Sequence, residues 1–234
     1  MKSTVDQIRQ RFDHDVERFS NLETGQSSIV DSPLGLELIT QAAAAANPNA
    51  TSILDIGCGG GNYTLRLLQS LPRVSVTLVD LSAPMLERAV ERIRPVAAGE
   101  VTTAQADIRE LSLGEARFDI IMAAAILHHL RTDAEWHAVF AKCYAALKPG
   151  GSLWIFDLIE HESPGARALM WARYGDYLVR LRDEAYRDHV FGYIEQEDTP
   201  RPLLYRVELL RQVGFRTVET LHMNSCFAAF GAIK

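Results

Sequence analysis

Apolar residues recur along this chain with two periods, and the change from one to the other divides it into elements. Val5, Ile8, Phe12, Val16 and Phe19 fall three and four apart, the stripe of an amphipathic helix over residues 5–20. Residues 24–32 are polar and turn-like, and 33–46 read as a second helix ended by Asn47-Pro48-Asn49. Between 51 and 160 short apolar runs alternate with helical patterns, predicting strands at 53–56, 74–79, 101–105, 118–124 and 152–157. Runs that are apolar almost throughout belong to parallel strands covered on both faces. Lys148-Pro149-Gly150-Gly151 reads as a turn feeding the fifth strand.

Beyond 160 the character changes. Ser163-Pro164 opens a helical stretch to about residue 187, carrying Trp171, Arg173, Tyr174, Tyr177, Arg180, Arg182 and Tyr186. A polar loop at 195–202 follows, then a helix over 203–213 that stops at Gly214. Runs at 216–222 and 226–233 predict an antiparallel hairpin that completes the sheet. The chain thus reads as one α/β domain: N-terminal helices over 1–50, an alternating core over 51–160, a helical insert over 161–205, and a closing helix and hairpin over 206–234.

Composition narrows the setting. The 234 residues suffice for a full core, and 47% hydrophobic content argues against wholesale disorder. A formal charge of −6 gives no general attraction to nucleic acid or to an anionic membrane. The arginines at 173, 180, 182 and 187 are the exception, a local basic patch. The first twenty residues are charged throughout, unlike a secretory leader, and the uncharged apolar run at 120–127 is too short to span a bilayer. Cys58, Cys143 and Cys226 are scattered and odd in number, without a C-x-x-C pair, so neither disulfides nor a zinc site is expected and a reducing cytoplasm fits.

The strongest local signal is Ile53-Leu54-Asp55-Ile56-Gly57-Cys58-Gly59-Gly60-Gly61-Asn62: an apolar strand, a glycine turn, then a helical stretch. Glycine there permits positive φ and lets backbone N–H groups approach a ligand with no Cβ between. The dinucleotide fingerprint requires a small residue that, counted from Gly57, falls on Asn62, so that pattern fails. What stands instead is D-x-G-x-G-x-G, whose carboxylate at Asp55 suits cationic groups better than a pyrophosphate. Asp80 ends the next strand, placed to accept from both ribose hydroxyls. Ser82 is a candidate N-cap, and Met85 can lie on a flat purine face. After the third strand, Asp107 is placed to accept from an exocyclic amine and Ile108 to pack on the ring. Taken singly, each of these acids is also ordinary turn chemistry; both following strands after a glycine turn favours ligand contact.

The ordered motifs resemble those of the class I S-adenosylmethionine-dependent methyltransferases. The resemblance implies a Rossmann-like, seven-stranded, mostly parallel sheet with an antiparallel C-terminal hairpin and a helical lid. It implies S-adenosyl-L-methionine as cofactor and a small-molecule acceptor, with no direct nucleic-acid or membrane partner. On it, Gly57, Cys58, Gly59 and Gly61 approach the methionine moiety and Asp55 attracts its ammonium group, while Asp80 and Leu81 take the ribose. Met85, Asp107 and Ile108 take the adenine. In this family the enzyme chiefly aligns donor and acceptor and excludes water, so a general base is harder to foresee. His128 and His129, after the fourth strand, are the catalytic candidates, and a locally packed histidine pair is the alternative. Adjacent side chains diverge on a regular element, and no third ligand lies nearby in sequence, so no metal is expected. The aromatic and arginine insert reads either as a grip on an anionic or aromatic acceptor or as a face toward the core or a dimer partner.

A narrower resemblance is to the carboxy-S-adenosylmethionine synthases linked to tRNA wobble modification. It is carried by Gly25-Gln26-Ser27-Ser28-Ile29, Asp55-Ile56-Gly57-Cys58, Asp80-Leu81-Ser82, Met85-Leu86-Glu87-Arg88 and Asp107-Ile108-Arg109. The chain departs from that group at three cofactor positions: Gln26 stands for a tyrosine, Ala124 for an asparagine, and Leu209 for a carboxylate-binding arginine, with Arg206 nearby as a substitute. Losing that arginine would strand the extra carboxylate, so ordinary S-adenosylmethionine is favoured, on a related scaffold that leaves room for a homodimer.

Overall fold

The structure, a computed structural model, describes residues 2–21 and 26–234. Gly25 and part of the turn predicted over 24–32 lie outside them. Two helices, α1 (Val5–His14) and α2 (Val16–Ser20), open the chain, followed by α3 (Ser32–Ala46). The alternating core comprises β1 (Ser52–Ile56), α4 (Asn62–Leu68), β2 (Ser75–Asp80), α5 (Ala83–Ile93), β3 (Val101–Gln105), β4 (Phe118–Ala124), α6 (Asp133–Ala146) and β5 (Leu147–Leu158). A single 3-10 turn, Leu127–His129, joins β4 to α6. The remainder is α7 (Pro164–Leu181), α8 (Glu184–Glu197), α9 (Leu203–Gln212), β6 (Thr217–Asn224) and β7 (Phe227–Ile233).

The seven strands form one sheet in the order β3-β2-β1-β4-β5-β7-β6. β1 to β5 pair in parallel, and β7 runs antiparallel between β5 and β6. Strand order reverses between β1 and β4, and in open α/β sheets ligands bind at the carboxyl ends on either side of such a reversal. Alternation along the strands splits the core in two. Ile53, Val76, Leu78, Ile120 and Met122 pack with α3 to α5 on one face, while Leu54, Ile56, Val79 and Ile121 pack with Trp136 and Phe140 of α6 on the other. The outer strands β3 and β6 keep exposed positions, as edge strands do.

The helix predicted over 5–20 is broken at Asp15, whose backbone leaves helical geometry to cap α1 and start α2. The helical stretch predicted to about 187 is two helices: Asp183 accepts from the Tyr186 N–H at 2.7 Å and starts α8, which runs on to Glu197 through part of the predicted polar loop. The predicted Lys148-Pro149-Gly150-Gly151 turn is drawn into a long β5, with a register shift against β4 between Phe118 and Ile120.

Candidate functional site

β1 delivers the glycine turn to the switch point. Gly57, Gly59 and Gly61 all have positive φ. Their roles differ. A Cβ on Gly57 would strike Ile126 and one on Gly61 would strike Ile93 of α5, whereas one on Gly59 would meet open space. Gly59 therefore leaves open space where a side chain would stand, and the other two let the loop pack. Asp80, at the tip of β2, accepts from the Gly59 N–H at 2.9 Å and the Ser82 N–H at 2.9 Å, one on each carboxylate oxygen. Each oxygen keeps acceptor capacity for a hydroxyl. Burial pushes this carboxyl up from its ordinary value, against the pull of those N–H groups.

Asp80, Leu81, Asp107 and Ile108 line one small cleft with Ile56 and Gly57, of about 40 Å³, closed from above by Val5 and Ile8 of α1. The two acidic tips thus share a crevice. Burial pushes the Asp107 carboxyl up, but the Arg109 guanidinium, 2.5 Å away, outweighs it and holds the group below the usual carboxylate range. Asp55 lies beneath the turn rather than in the cleft: it is 1% exposed and accepts from the Thr64 hydroxyl at 2.6 Å. Burial raises its pKa to about 7. Cys58, Met85 and Ala124 are buried among core side chains. Gln26 accepts from the Ser32 hydroxyl and the Ile29 N–H through its backbone oxygen.

Beside this cleft opens a chamber of about 930 Å³. Its floor is the end of β4 and β5 (Ala125, Leu158) with Phe227 of β7; α1 and α2 roof it with Arg11, Phe12, Asp15, Arg18 and Phe19, and α7 and α8 wall it with Tyr174, Arg182, Tyr186 and Tyr193. Of the aromatic insert, Tyr174 donates to Ser28 O at 2.9 Å and Tyr177 to Ser27 O at 2.7 Å, which ties the insert to the loop before α3. The roof is fastened by Arg11, which forms a two-pronged pair with Glu197 of α8 at 3.2 and 2.6 Å.

His128 and His129 both line this chamber, their rings 4.4 Å apart. Divergence of neighbouring side chains holds for regular elements; the 3-10 turn twists the pair toward the same space instead. His128 Nδ1 donates to Asp157 at 2.5 Å, and Arg206 donates to the other oxygen of Asp157 at 2.8 Å. Arg206 is fully buried and stacks over the Trp136 ring at 4.5 Å, so its charge is committed to Asp157 and it does not stand in for a cofactor-binding arginine. Burial pushes the His128 pKa down, but Asp198 and Asp157 outweigh it and the net shift is upward. For His129, burial and the neighbouring His128 push the pKa down. Asp157 is held low by His128 and Arg206 in spite of its burial.

Asp198, just after α8, reaches this corner from seventy positions along the chain. The Thr199 N–H donates to His128 O at 2.7 Å and pins the segment there. Neither Asp198 nor Arg11 sits in a motif, so no pattern along the chain points to them. Asp157 was the one readable signal, an acid ending a strand of apolar residues.

Residues 53–151 match the family described as a methyltransferase domain. Among curated proteins, the chain is 31% identical over 156 residues to the ubiquinone/menaquinone biosynthesis C-methyltransferase of Syntrophotalea carbinolica, covering 67% of this chain and 63% of that protein. It is 31% identical over 146 residues to the malonyl-[acyl-carrier protein] O-methyltransferase of Priestia megaterium, covering 62% of this chain and 49% of that one. The matched region spans about half the length of several such relatives. Among solved structures, the Burkholderia thailandensis 1,6-didemethyltoxoflavin-N1-methyltransferase, determined with 1,6-didemethyltoxoflavin and S-adenosylhomocysteine, superposes with a TM-score of 0.64 at 20% identity, over 97% of this chain and 87% of that one. Residues 53–151 thus resemble a methyltransferase domain, and the sheet order and the glycine turn agree with that likeness.

Proposed function

We propose that this protein transfers a methyl group from S-adenosylmethionine to a small-molecule acceptor bound in the chamber. The observation that carries the reading is the meeting of three features at the switch point: the bare Gly59 backbone, the Asp80 and Asp107 tips in one crevice, and a chamber opening beside them. The residue types suit the cofactor, and the cleft of about 40 Å³ must widen, by movement of Val5 and Ile8 of α1, before an adenosine enters. Asp80 retains acceptor capacity for ribose hydroxyls, Ile108 and Leu81 offer apolar walls to a purine, and Gly59 leaves room for the methionine portion.

When bound, S-adenosylmethionine supplies an electrophilic methyl carbon on a sulfonium. The chain's own part is positioning and exclusion of water. Phe12 and Phe19 of the roof and Tyr174 and Phe227 opposite them form an apolar, aromatic enclosure suited to a flat organic acceptor. The polar corner at His128, His129 and Asp198 faces the acceptor's nucleophilic atom. The commitment of Arg206 to Asp157 supports the ordinary cofactor over a carboxylated one, since the arginine nearest in sequence to Leu209 is not free to take an added carboxylate.

Calorimetric titration with S-adenosylhomocysteine tests the reading. Asp80→Ala should weaken binding about tenfold or more, a loss of roughly 1.4 kcal/mol or greater, and unchanged affinity would remove the ribose assignment. Mass spectrometry of ligand extracted from the purified protein should show a nucleoside without an added carboxylate. A panel of quinol, phenol and carboxylate acceptors with labelled methyl donor then reads turnover.

A further inference from the structure

We infer that His128, His129 and Asp198 form a site for a divalent first-row transition-metal ion, open on one side to the acceptor chamber. The inference rests on the chamber being the acceptor site, as proposed above. The three residues offer His128 Nε2, His129 Nδ1 and a carboxylate oxygen of Asp198, all within 4.8 Å of one another. Two imidazoles and one carboxylate on one side of an ion, with the other positions free, is a donor set that zinc, iron(II), cobalt(II) and manganese(II) accept.

Two observations point to a ligand here rather than to a self-satisfied cluster. His129 Nδ1 and Asp198 Oδ1 lie 3.1 Å apart and buried, poorly aligned on each other, and neither atom has a hydrogen-bond partner outside the cluster. Donors that share an ion at 2.0–2.2 Å sit about 3 Å apart when adjacent and about 4.2 Å apart when opposite. The separations of 3.1 Å for His129 and 3.8 Å for His128 from Asp198 need only a sub-ångström contraction. The second observation is the shell behind the donors. Asp157 holds His128 Nδ1 at 2.5 Å, which leaves Nε2 as the free donor, and Arg206 holds Asp157 in turn. Metal-bound histidines are backed by carboxylates in this way.

The charges around the site permit a cation. Arg11 is neutralised by Glu197, and Arg206 by Asp157. One carboxylate in the donor set leaves a bound divalent ion with net positive charge facing the chamber. That charge would select acceptors bearing an ionisable oxygen, such as a phenol, an enol or a carboxylic acid, and would bind them in the oxyanion form.

The test uses the full chain, stripped with a chelator and titrated with cobalt(II), read by visible absorption, and with zinc, read by calorimetry. The expected result is saturable binding of one equivalent, with cobalt bands typical of nitrogen and oxygen ligation. His129→Gln and Asp198→Asn should each lower metal affinity at least tenfold, and Asp157→Asn about tenfold through the shell behind. His222→Ala, remote from the site, should leave it unchanged. Circular dichroism should hold in every variant, and S-adenosylhomocysteine binding at the Asp80 cleft should hold in Asp198→Asn, which lies outside that cleft. Absence of a one-to-one cobalt spectrum, or unaltered affinity in both His129→Gln and Asp198→Asn, overturns the metal site while leaving the cofactor reading intact. Loss of S-adenosylhomocysteine binding in the wild type would instead strike the reading beneath it.

Discussion

Asp55 shows how one buried side chain makes stability depend on pH. Its carboxyl sits beneath the glycine turn with a folded-state pKa of about 7, against an ordinary value of 3.8. Between those values the folded chain holds a proton that the unfolded chain releases, so stability is greatest below the lower value and declines as pH rises through the window. Asp55→Asn keeps the hydrogen bond to Thr64 and has no proton to lose. The difference in unfolding free energy between the two proteins, from urea titration, should therefore move in favour of the variant from pH 4 to 7, by up to about 4 kcal/mol at the upper end. Gly59 and Gly61 separate binding from stability. Both have positive φ, so alanine at either incurs about 1–2 kcal/mol of left-handed strain. At Gly59 the new methyl enters open space, so on the proposed reading affinity for S-adenosylhomocysteine should fall tenfold or more at little further loss of stability. At Gly61 it meets Ile93 at 2.7 Å, and unfolding midpoints should drop further than for Gly59→Ala.

Elements were legible where one period ran unbroken. The five parallel strands and the hairpin were visible in sequence because burial on both faces demands continuous apolar runs, and the structure supports them within a residue or two for most. Helix breaks were harder. The apolar stripe from Val5 to Phe19 continues across Asp15, and only the backbone there shows that α1 stops and α2 begins. Asp183 was a readable start signal for α8, hidden by arginines and aromatics on both sides. The buried Arg206–Asp157 pair couples α9 to β5, and Arg206→Leu would leave the Asp157 carboxylate with His128 as its remaining charged partner. That variant should lose about 3 kcal/mol in denaturant titration. Arg206→Leu with Asp157→Leu should recover only part of the loss, because His128 Nδ1 then lacks its acceptor.

At the scale of the whole molecule, the cleft at the strand tips was legible and the chamber beside it was not. Asp80, Asp107 and Ile108 follow strands in register, so their convergence could be read from order along the chain. The chamber is assembled from α1, α2, α7, α8 and the end of β7, pieces whose adjacency is set only by packing. His128, His129 and Asp198 met for the same reason: seventy residues of chain fold back to one corner. The roof is joined to α8 by Arg11 and Glu197, so Arg11→Ala should raise amide exchange across residues 5–14 while leaving the sheet protected, as hydrogen exchange measures.

Val5 and Ile8 cover the cleft while Arg11 and Phe12 cover the chamber, and all four belong to α1. A single rigid segment therefore acts as door to two rooms. Entry to and departure from both should then depend on one movement. Turnover should slow as solvent viscosity rises, as a shared opening step requires.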